Sequence, residues 1–381
     1  MKGIAPLMKG LWRYIEQDRV LAAYGLAADE WLMRAYESPG QPAPPTLRLY
    51  TYRSHCALVG QFQDVETEID LEYCRAERIP INRRPTGGGA IIMGDDQLGM
   101  ALAASVKYPG IPGHPREIFA LYSAAICRGL KTLGIHASMG GKNDIRVNGR
   151  KIAGLGLCRG ERGALLFHAS LLVGLDIPLM LRVLKIPLEK VADKLRADIE
   201  ENLTTVRREL RKQIEVAEVR DIIRRGFEAA MGIKFEARAL TPEEVERIRA
   251  LELEKYSCDG WIFQQRSGQT KGGVSVQKTP GGLLRIHVTL AGDRIERIRV
   301  TGDFFAQAKH LVELEKIMSG LPASEDVVRR VIKQFFSERS NPIERVGKEE
   351  LARAVLVALR QAKQTEDAQA PYGCFAAPVR G

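Results

Sequence analysis

The dipeptide Asn148-Gly149 constrains the fold of this chain more than any other feature. A two-residue hairpin turn of type I′ needs positive φ at both central residues, and Asn-Gly tolerates that best. Ile145 and Val147 before the turn, and Ile152 after it, supply strand residues. Asp144 to Ala153 is therefore predicted as an antiparallel hairpin. Leu165 to Leu172 reads as the next strand, and Leu47–Tyr52, Cys56–Val59 and Gly89–Met93 are shorter strand-like runs. Helices are expected over Trp12 to Ala35, with Leu21, Ala22, Gly25, Leu26 and Leu32 on one face, and over Val65 to Arg78 and Glu117 to Leu133. A Pro/Gly-rich stretch, residues 38–45, ends the first helix, and residues 176–224 read as helix-rich and charged. Hairpins interleaved with helices argue against a purely parallel sheet. The predicted class is α+β (mixed α/β), with a mixed or antiparallel sheet and flanking helices.

A chain of 381 residues is long enough for two domains. Thr241-Pro242-Glu243-Glu244 is a capping box with proline at the first helical position. It is expected to open a charged connecting helix that runs to about Lys255. Beyond it, Leu284, Ile286, Val288 and Leu290 alternate with polar residues as in a half-buried strand. A meander into Ile295–Val300 follows, then a helix capped at Ser324 with Val327, Val328, Val331, Ile332, Phe335 and Phe336 on one face. The expected division is 1–245, a small α+β unit over 246–345, and a C-terminal helix and tail over 346–381, polar after Lys363 and then Pro/Gly-rich.

Lys and Arg number 57 against 47 Asp and Glu, a formal charge of +10. The basic residues are spread along the chain and mixed with acids, which reads as a solvated surface rather than a binding stripe. No helix-turn-helix, aromatic-basic interleaving or zinc spacing points to nucleic acid. The six cysteines (Cys56, Cys74, Cys127, Cys158, Cys258, Cys374) are scattered, with no C-x-x-C pair, and read as reduced thiols. No apolar run approaches the roughly 18 residues a membrane helix needs, and no cleavable leader is evident, so a cytoplasmic protein is expected.

Arg83-Arg-Pro-Thr-Gly-Gly-Gly-Ala90 is the first stretch with chemistry in it. Three glycines let backbone N–H groups approach a ligand, and paired arginines would hold a carboxylate or phosphate with forked donors. No Walker A sequence occurs. In Gly154-Leu-Gly156-Leu-Cys-Arg-Gly160 the last glycine comes one residue late for a dinucleotide fingerprint. The second informative set is Lys142-Asn-Asp144, Arg150-Lys-Ile-Ala-Gly154 and Phe167-His-Ala-Ser170, which combines a lysine point charge, an Asn/Asp pair and a histidine-bearing strand. Such a set suits acyl-phosphate chemistry.

Taken in order, R-R-P-T-G-G-G-A, N-D-I, R-K-I-A-G and F-H-A-S-L-L resemble the lipoate–protein ligase family, relatives of biotin ligases and octanoyltransferases. Trp12-Arg13, Leu26–Leu32 and Val59-Gly-Gln-Phe-Gln63 fit it too. Gly281–Leu290 with Thr301-Gly-Asp-Phe-Phe305 resembles the family's accessory domain.

The resemblance implies activation of lipoate by ATP with Mg²⁺ to lipoyl-AMP, then transfer to a lysine of a lipoyl-carrier protein. Carried over, Lys151 would be catalytic. Arg84, Thr86, Gly87, Gly88, Gly89 and Ala90 would form the adenylate loop, and the backbone at Ile91 and Ile92 would meet adenine. Asn143, Asp144, Gly154 and His168 would line the nucleotide and acyl site, with Asp144 a candidate Mg²⁺ contact. Where the family continues apolar-apolar-His-Asp after the glycines, this chain has Ile91-Ile92-Met93-Gly94.

The alternative reading is an octanoyl or lipoyl transferase, which moves the acyl group from a carrier thioester through an enzyme cysteine and without ATP. Residues 138–142 hold no cysteine where one transferase type carries its nucleophile, and Cys158 is the one thiol near the motifs.

Overall fold

The computed structural model describes residues 10–38, 40, 43–160, 162–185, 201–264, 272–339 and 341–369. The chain divides into two compact units, 1–266 and 267–381. Both are mixtures of sheet and helix, as the α+β class requires.

The first unit is built on an eight-stranded sheet in the order β11-β1-β2-β6-β10-β9-β8-β7. Its strands are β1 (Leu11–Val20), β2 (Thr46–Tyr52), β6 (Gln97–Ser105), β7 (Ser138–Gly140), β8 (Asp144–Val147), β9 (Arg150–Arg159), β10 (Ala164–Leu172) and β11 (Lys234–Ala237). β1 pairs parallel with β2 and β11, and from β2 onward every pairing is antiparallel. β2 and β6 are buried along their whole length, with Arg48 of β2 and Gln97 of β6 buried among the apolar residues. A small second sheet holds β3 (Cys56–Val59) between β4 (Ile81–Arg83) and β5 (Ile91–Met93). The predicted hairpin is β8–β9, with φ of 49° at Asn148 and 82° at Gly149.

Three expectations about elements change. Residues 11–20 form β1, not the start of a helix, and helix α1 covers only Ala22–Arg34. The β1 pairing buries Trp12, Tyr14 and Ile15 in the sheet, which a helix there could not do, and Leu21 stands exposed at the helix start. Residues 65–78 form two short helices rather than one, Val65–Glu68 and Leu71–Ala76. Asp64 and Asp70 each accept a hydrogen bond from the first turn after them, so each starts a separate helix.

The third concerns the helix opened by Thr241. Its capping box forms in full, and the helix (Pro242–Leu251) packs on α1 and on β1 rather than spanning two units. Arg13 of β1 grips Glu244 at 2.6 Å. A π-helical turn, Glu252–Tyr256, continues it. That turn seats Lys255 and Tyr256 against Glu30 of α1, a carboxylate left 4% exposed in an otherwise apolar interface.

The second unit holds the two predicted strands as β13 (Gly282–Ala291) and β14 (Arg294–Gly302), joined by β12 (Gly273–Thr279), which was not expected, with helices Ala308–Met318, Glu325–Ser337 and Lys348–Gln369. The last of these helices runs to Gln369, past Lys363, where a loose tail was expected to begin, and residues from 370 lie outside the described residues. No helix among the described residues is long and apolar enough to cross a membrane.

Candidate active site

The two sequence stretches singled out for chemistry meet at one cleft of the first unit. Its floor is β9 and β10, its roof is the loop 84–90 with β5, and its side is β2. Arg84, Thr86, Gly89, Ala90, Ile91, Asn143, Lys151, Gly154 and His168 all line it. Leu26, Tyr50, Tyr52, Leu58, Met93 and Leu155 give it an apolar wall that the sequence reading had not assigned.

The loop is held by its own backbone and by arginines working inward. At Gly60 an added Cβ would lie 2.0 Å from the carbonyl oxygen of Gly88, so the two chains touch backbone to backbone. Gly88 itself sits at φ 103°, open to glycine at little cost. Arg84 donates to the carbonyl oxygens of Leu58, Gly87 and Gly89, clamping the turn from inside while its side chain borders the cleft.

Arg83 corrects the expectation of two arginines facing a ligand. It is fully buried and donates to the carbonyls of Gly60, Gln61, Gln63, Trp261 and Ile262. Trp261 Nε1 donates back to the Arg83 carbonyl. Burial lowers the Arg83 guanidinium to a pKa of about 10, with Arg84 beside it acting the same way and Asp64 opposing. Arg83 is a structural pin. Gly87 and Gly88 shape the loop without lining the cleft, and Ile92 points away from it into the cluster with Ala57, Val59 and Val65, because β5 alternates faces.

On the floor, Lys151 Nζ is 2.8 Å from Asp144 Oδ1, and Arg146 donates to Asp144 Oδ2 at 2.7 Å. A Cβ on Gly154 would lie 3.3 Å from the Lys151 ammonium, so that glycine makes room for the lysine to lie across the strand. Asn143 spends its amide N–H on the Leu155 carbonyl at 2.8 Å. The donor set does not fit the expected Mg²⁺ contact: both oxygens of Asp144 are taken by cations. Among the described residues no three metal-ligating side chains gather anywhere.

Behind the cleft runs a buried polar network that the sequence reading missed. Asp29 and Arg48 are both 0% exposed and pair at 2.5 Å. Tyr50 Oη and His168 Nε2 each lie 3.1 Å from Asp29 Oδ2, and His168 Nδ1 is 3.5 Å from Thr86 Oγ1. Burial pushes the Asp29 carboxyl up, but Arg48 and the His168 hydrogen bond outweigh it and hold it below the ordinary carboxylate range. The available signal was Asp29-Glu30, two acids set inside the apolar face of α1.

Cys158 does not reach this site. It is absent from the cleft lining, its Sγ lies 3.7 Å from Met33 Sδ, and burial pushes its thiol well up, the opposite of an activated nucleophile. At the position where the family pattern has His-Asp, Met93 lines the cleft and Gly94 lies under the ring of His55, whose Nε2 is 3.6 Å from Asp96 Oδ1.

Comparison with known proteins places this geometry. Residues 22–228 match the lipoyl protein ligase A/B catalytic domain, and residues 275–354 match the bacterial lipoate protein ligase C-terminus. The octanoyltransferase LipM of Kyrpidia tusciae is 31% identical over 276 residues, 67% of this chain and 99% of that protein. LipM of Bacillus subtilis is 26% identical over 282 residues, 68% of this chain and all of that protein.

Among solved structures, a bipartite lipoate protein ligase of Thermoplasma acidophilum, described with its E2 lipoyl domain, is 29% identical with a TM-score of 0.60. It covers 67% of this chain and 97% of its own. A lipoate-protein ligase A solved bound with ATP is 27% identical with a TM-score of 0.59, over 67% and 99% of the two chains. These relatives correct the expected activity: the curated ones are octanoyltransferases, which overturns ATP-dependent ligation as the main reading in favour of its alternative. The chain is an enzyme of the lipoyl protein ligase A/B catalytic-domain family, and carries the C-terminal domain of bacterial lipoate ligases behind its catalytic unit.

Proposed function

We propose that this enzyme transfers an octanoyl group from the thioester of a carrier protein to a lysine of a lipoyl-carrier protein, without ATP. The observation that carries the reading is the likeness to octanoyltransferases at 26–31% identity over essentially their whole length. A thioester is already an activated acyl donor, so amine attack needs no adenylate. The C–N bond forms, the C–S bond breaks, and the thiolate leaves with the proton the amine gives up.

The cleft suits that reaction. Leu26, Leu58, Ile91, Met93 and Leu155 offer an apolar bed for an eight-carbon chain. Lys151, Gly89 and Ser170 line the cleft beside these residues. The Lys151 ammonium would leave Asp144 for the thioester oxygen, which becomes an oxyanion as the amine adds. No cysteine among the described residues lines the cleft, and Cys158 is sealed away from it, so a thiol that carried the acyl group would have to come from elsewhere in the chain. Cys158→Ser should then keep full activity, and an octanoyl adduct trapped on Cys158 would contradict this. The lipoyl-domain partner follows from the acceptor chemistry and from the archaeal neighbour's own partner.

The test is to mix the enzyme with a lipoyl-carrier domain and octanoyl acyl-carrier protein, and to follow carrier mass. A parallel mixture holds lipoate and Mg-ATP instead. Mass gain from the thioester alone supports the transferase. Mass gain that requires ATP, with AMP released, overturns it.

A further inference from the structure

We propose that a cavity beside Lys151, outside the acyl cleft, receives the phosphate end of the donor carrier's phosphopantetheine arm, with Arg207 as the phosphate contact. The inference rests on the transferase reading and adds to it a second subsite, one that holds the donor rather than the acyl chain. An acyl-carrier protein presents its thioester at the tip of a flexible arm that contains two amides, a dimethyl carbon and a phosphodiester. With the thioester at Lys151, the rest of that arm must run out along the protein.

The cavity has a volume of about 440 Å³, and Gly174, Leu175, Ile177, Leu203, Arg207 and Arg208 line it, none of which borders the acyl cleft. That size suits part of an organic ligand and far exceeds a bound ion. Cleft and cavity are joined by backbone on two sides. Leu203 forms a parallel bridge with Lys151, and the Thr204 N–H donates to the Lys151 carbonyl at 2.9 Å. One strand spacing, about 4.8 Å, therefore separates the cavity wall from the Lys151 backbone. On the other side, Ser170 lines the cleft and Gly174 lines the cavity, at most about 14 Å further along the chain. An extended phosphopantetheine arm is longer than that, so it reaches from one to the other.

Arg207 is built to offer its donors there. Its backbone N–H donates to the Val173 carbonyl at 3.1 Å and its Nε to the Ile214 carbonyl at 3.2 Å, which fixes the stem of the side chain. Its two terminal nitrogens make no hydrogen bond among the described residues. Gly174 leaves room for them, since a Cβ there would lie 2.8 Å from Arg207 Nη1. A forked donor with a pinned stem and unspent prongs matches a pair of phosphate oxygens. Exposed Arg208 adds a second positive charge. The two carboxylates in the lining are committed elsewhere: Asp176 Oδ1 accepts from the Leu179 N–H, and Asp96 Oδ1 faces His55 Nε2 at 3.6 Å. Leu175, Ile177 and Leu203 supply an apolar side that suits the dimethyl carbon of the arm and that a site for a bare anion would not need.

The experiment measures kcat and KM with three octanoyl donors, the thioesters of acyl-carrier protein, of pantetheine 4′-phosphate and of pantetheine, and a lipoyl-carrier domain as acceptor. Wild type is compared with Arg207→Gln, Arg207→Lys and Gly174→Ala, and thermal unfolding checks that each variant folds. Calorimetry with pantetheine 4′-phosphate alone reads occupancy without turnover. Wild type should show a KM for the phosphorylated small donor about tenfold or more below that for pantetheine, as one hydrogen bond between charged groups supplies. Arg207→Gln should erase that preference by raising KM for both phosphate-bearing donors, with kcat and the pantetheine KM within about twofold. Arg207→Lys should recover part of it. Gly174→Ala, whose methyl displaces the guanidinium, should act in the same direction as Arg207→Gln, and these two variants carry the test if Arg207→Gln does not fold. Equal losses on phosphorylated and unphosphorylated donors would make Arg207 merely structural and overturn the proposal. A loss confined to acyl-carrier protein would also overturn it, by placing Arg207 against the carrier's own surface. So would ATP binding more tightly than pantetheine 4′-phosphate with the same dependence on Arg207, which would give the site to a nucleotide. If wild type turns over no thioester, the transferase reading falls and calorimetry decides the site: binding that Arg207→Gln weakens about tenfold upholds it, and no binding ends it.

Discussion

At the scale of single residues, the two arginines of the Arg83-Arg84 pair show how similar side chains take different work. Arg84 borders the cleft, whereas Arg83 holds five backbone carbonyls together. Arg83→Met leaves those acceptors buried and unpaired, and should cost about 3–5 kcal/mol in urea unfolding. A cost under about 1 kcal/mol would deny the pin. Lys151→Ala should leave stability unchanged within about 0.5 kcal/mol and lower kcat by at least about 10²-fold.

The buried acids predict an acid limb. Burial raises the Glu30 carboxyl, but Lys255, then Tyr256 and Arg34, outweigh it and hold it below its ordinary 4.5. A carboxyl depressed on folding adds stability that is fully present above its unfolded value and is lost as pH falls through the folded one. Unfolding free energy should therefore begin to decline as pH drops below about 4.5, and Glu30→Gln should make that decline shallower. An identical slope in the variant would remove Glu30 from the account.

Among elements, the hairpin at Asn148-Gly149 was legible because its φ requirement is local. β1 was not, because nothing local distinguishes Leu11–Val20 from helix: its strand state comes from pairing with β2 and β11, both distant in sequence. The glycine loop was legible as a loop, but its shape depends on Gly60, to which the Val59–Gln63 resemblance gave no role. Gly60→Ala would drive a methyl into the Gly88 carbonyl, and should both lower the melting temperature and raise KM for the acyl donor. An unchanged KM would separate loop shape from substrate binding.

For the whole molecule, the curated octanoyltransferases match only 67–68% of this chain, while its second unit matches a domain described from lipoate ligases. The first unit extends past the capped helix, because Tyr256 and Lys255 complete the Glu30 site and residues 261–262 complete the Arg83 site. A fragment 1–266 should therefore unfold cooperatively, whereas 1–245, cut where the sequence alone suggested a boundary, should be unfolded or aggregate. Equal melting curves for the two fragments would contradict this.

Sequence alone was enough for the class of fold, the hairpin, the family resemblance and the two motif stretches that meet at the cleft, though not for its apolar wall. Each rests on local turn chemistry or on motifs read in order. Tertiary structure decided which arginine faces the cleft, that Asp144 is neutralised by two cations, that Cys158 is sealed away, and that Asp29 reaches His168 from 139 residues off. Those outcomes depend on which buried groups meet across the sheet, and no local pattern encodes a partner so far along the chain.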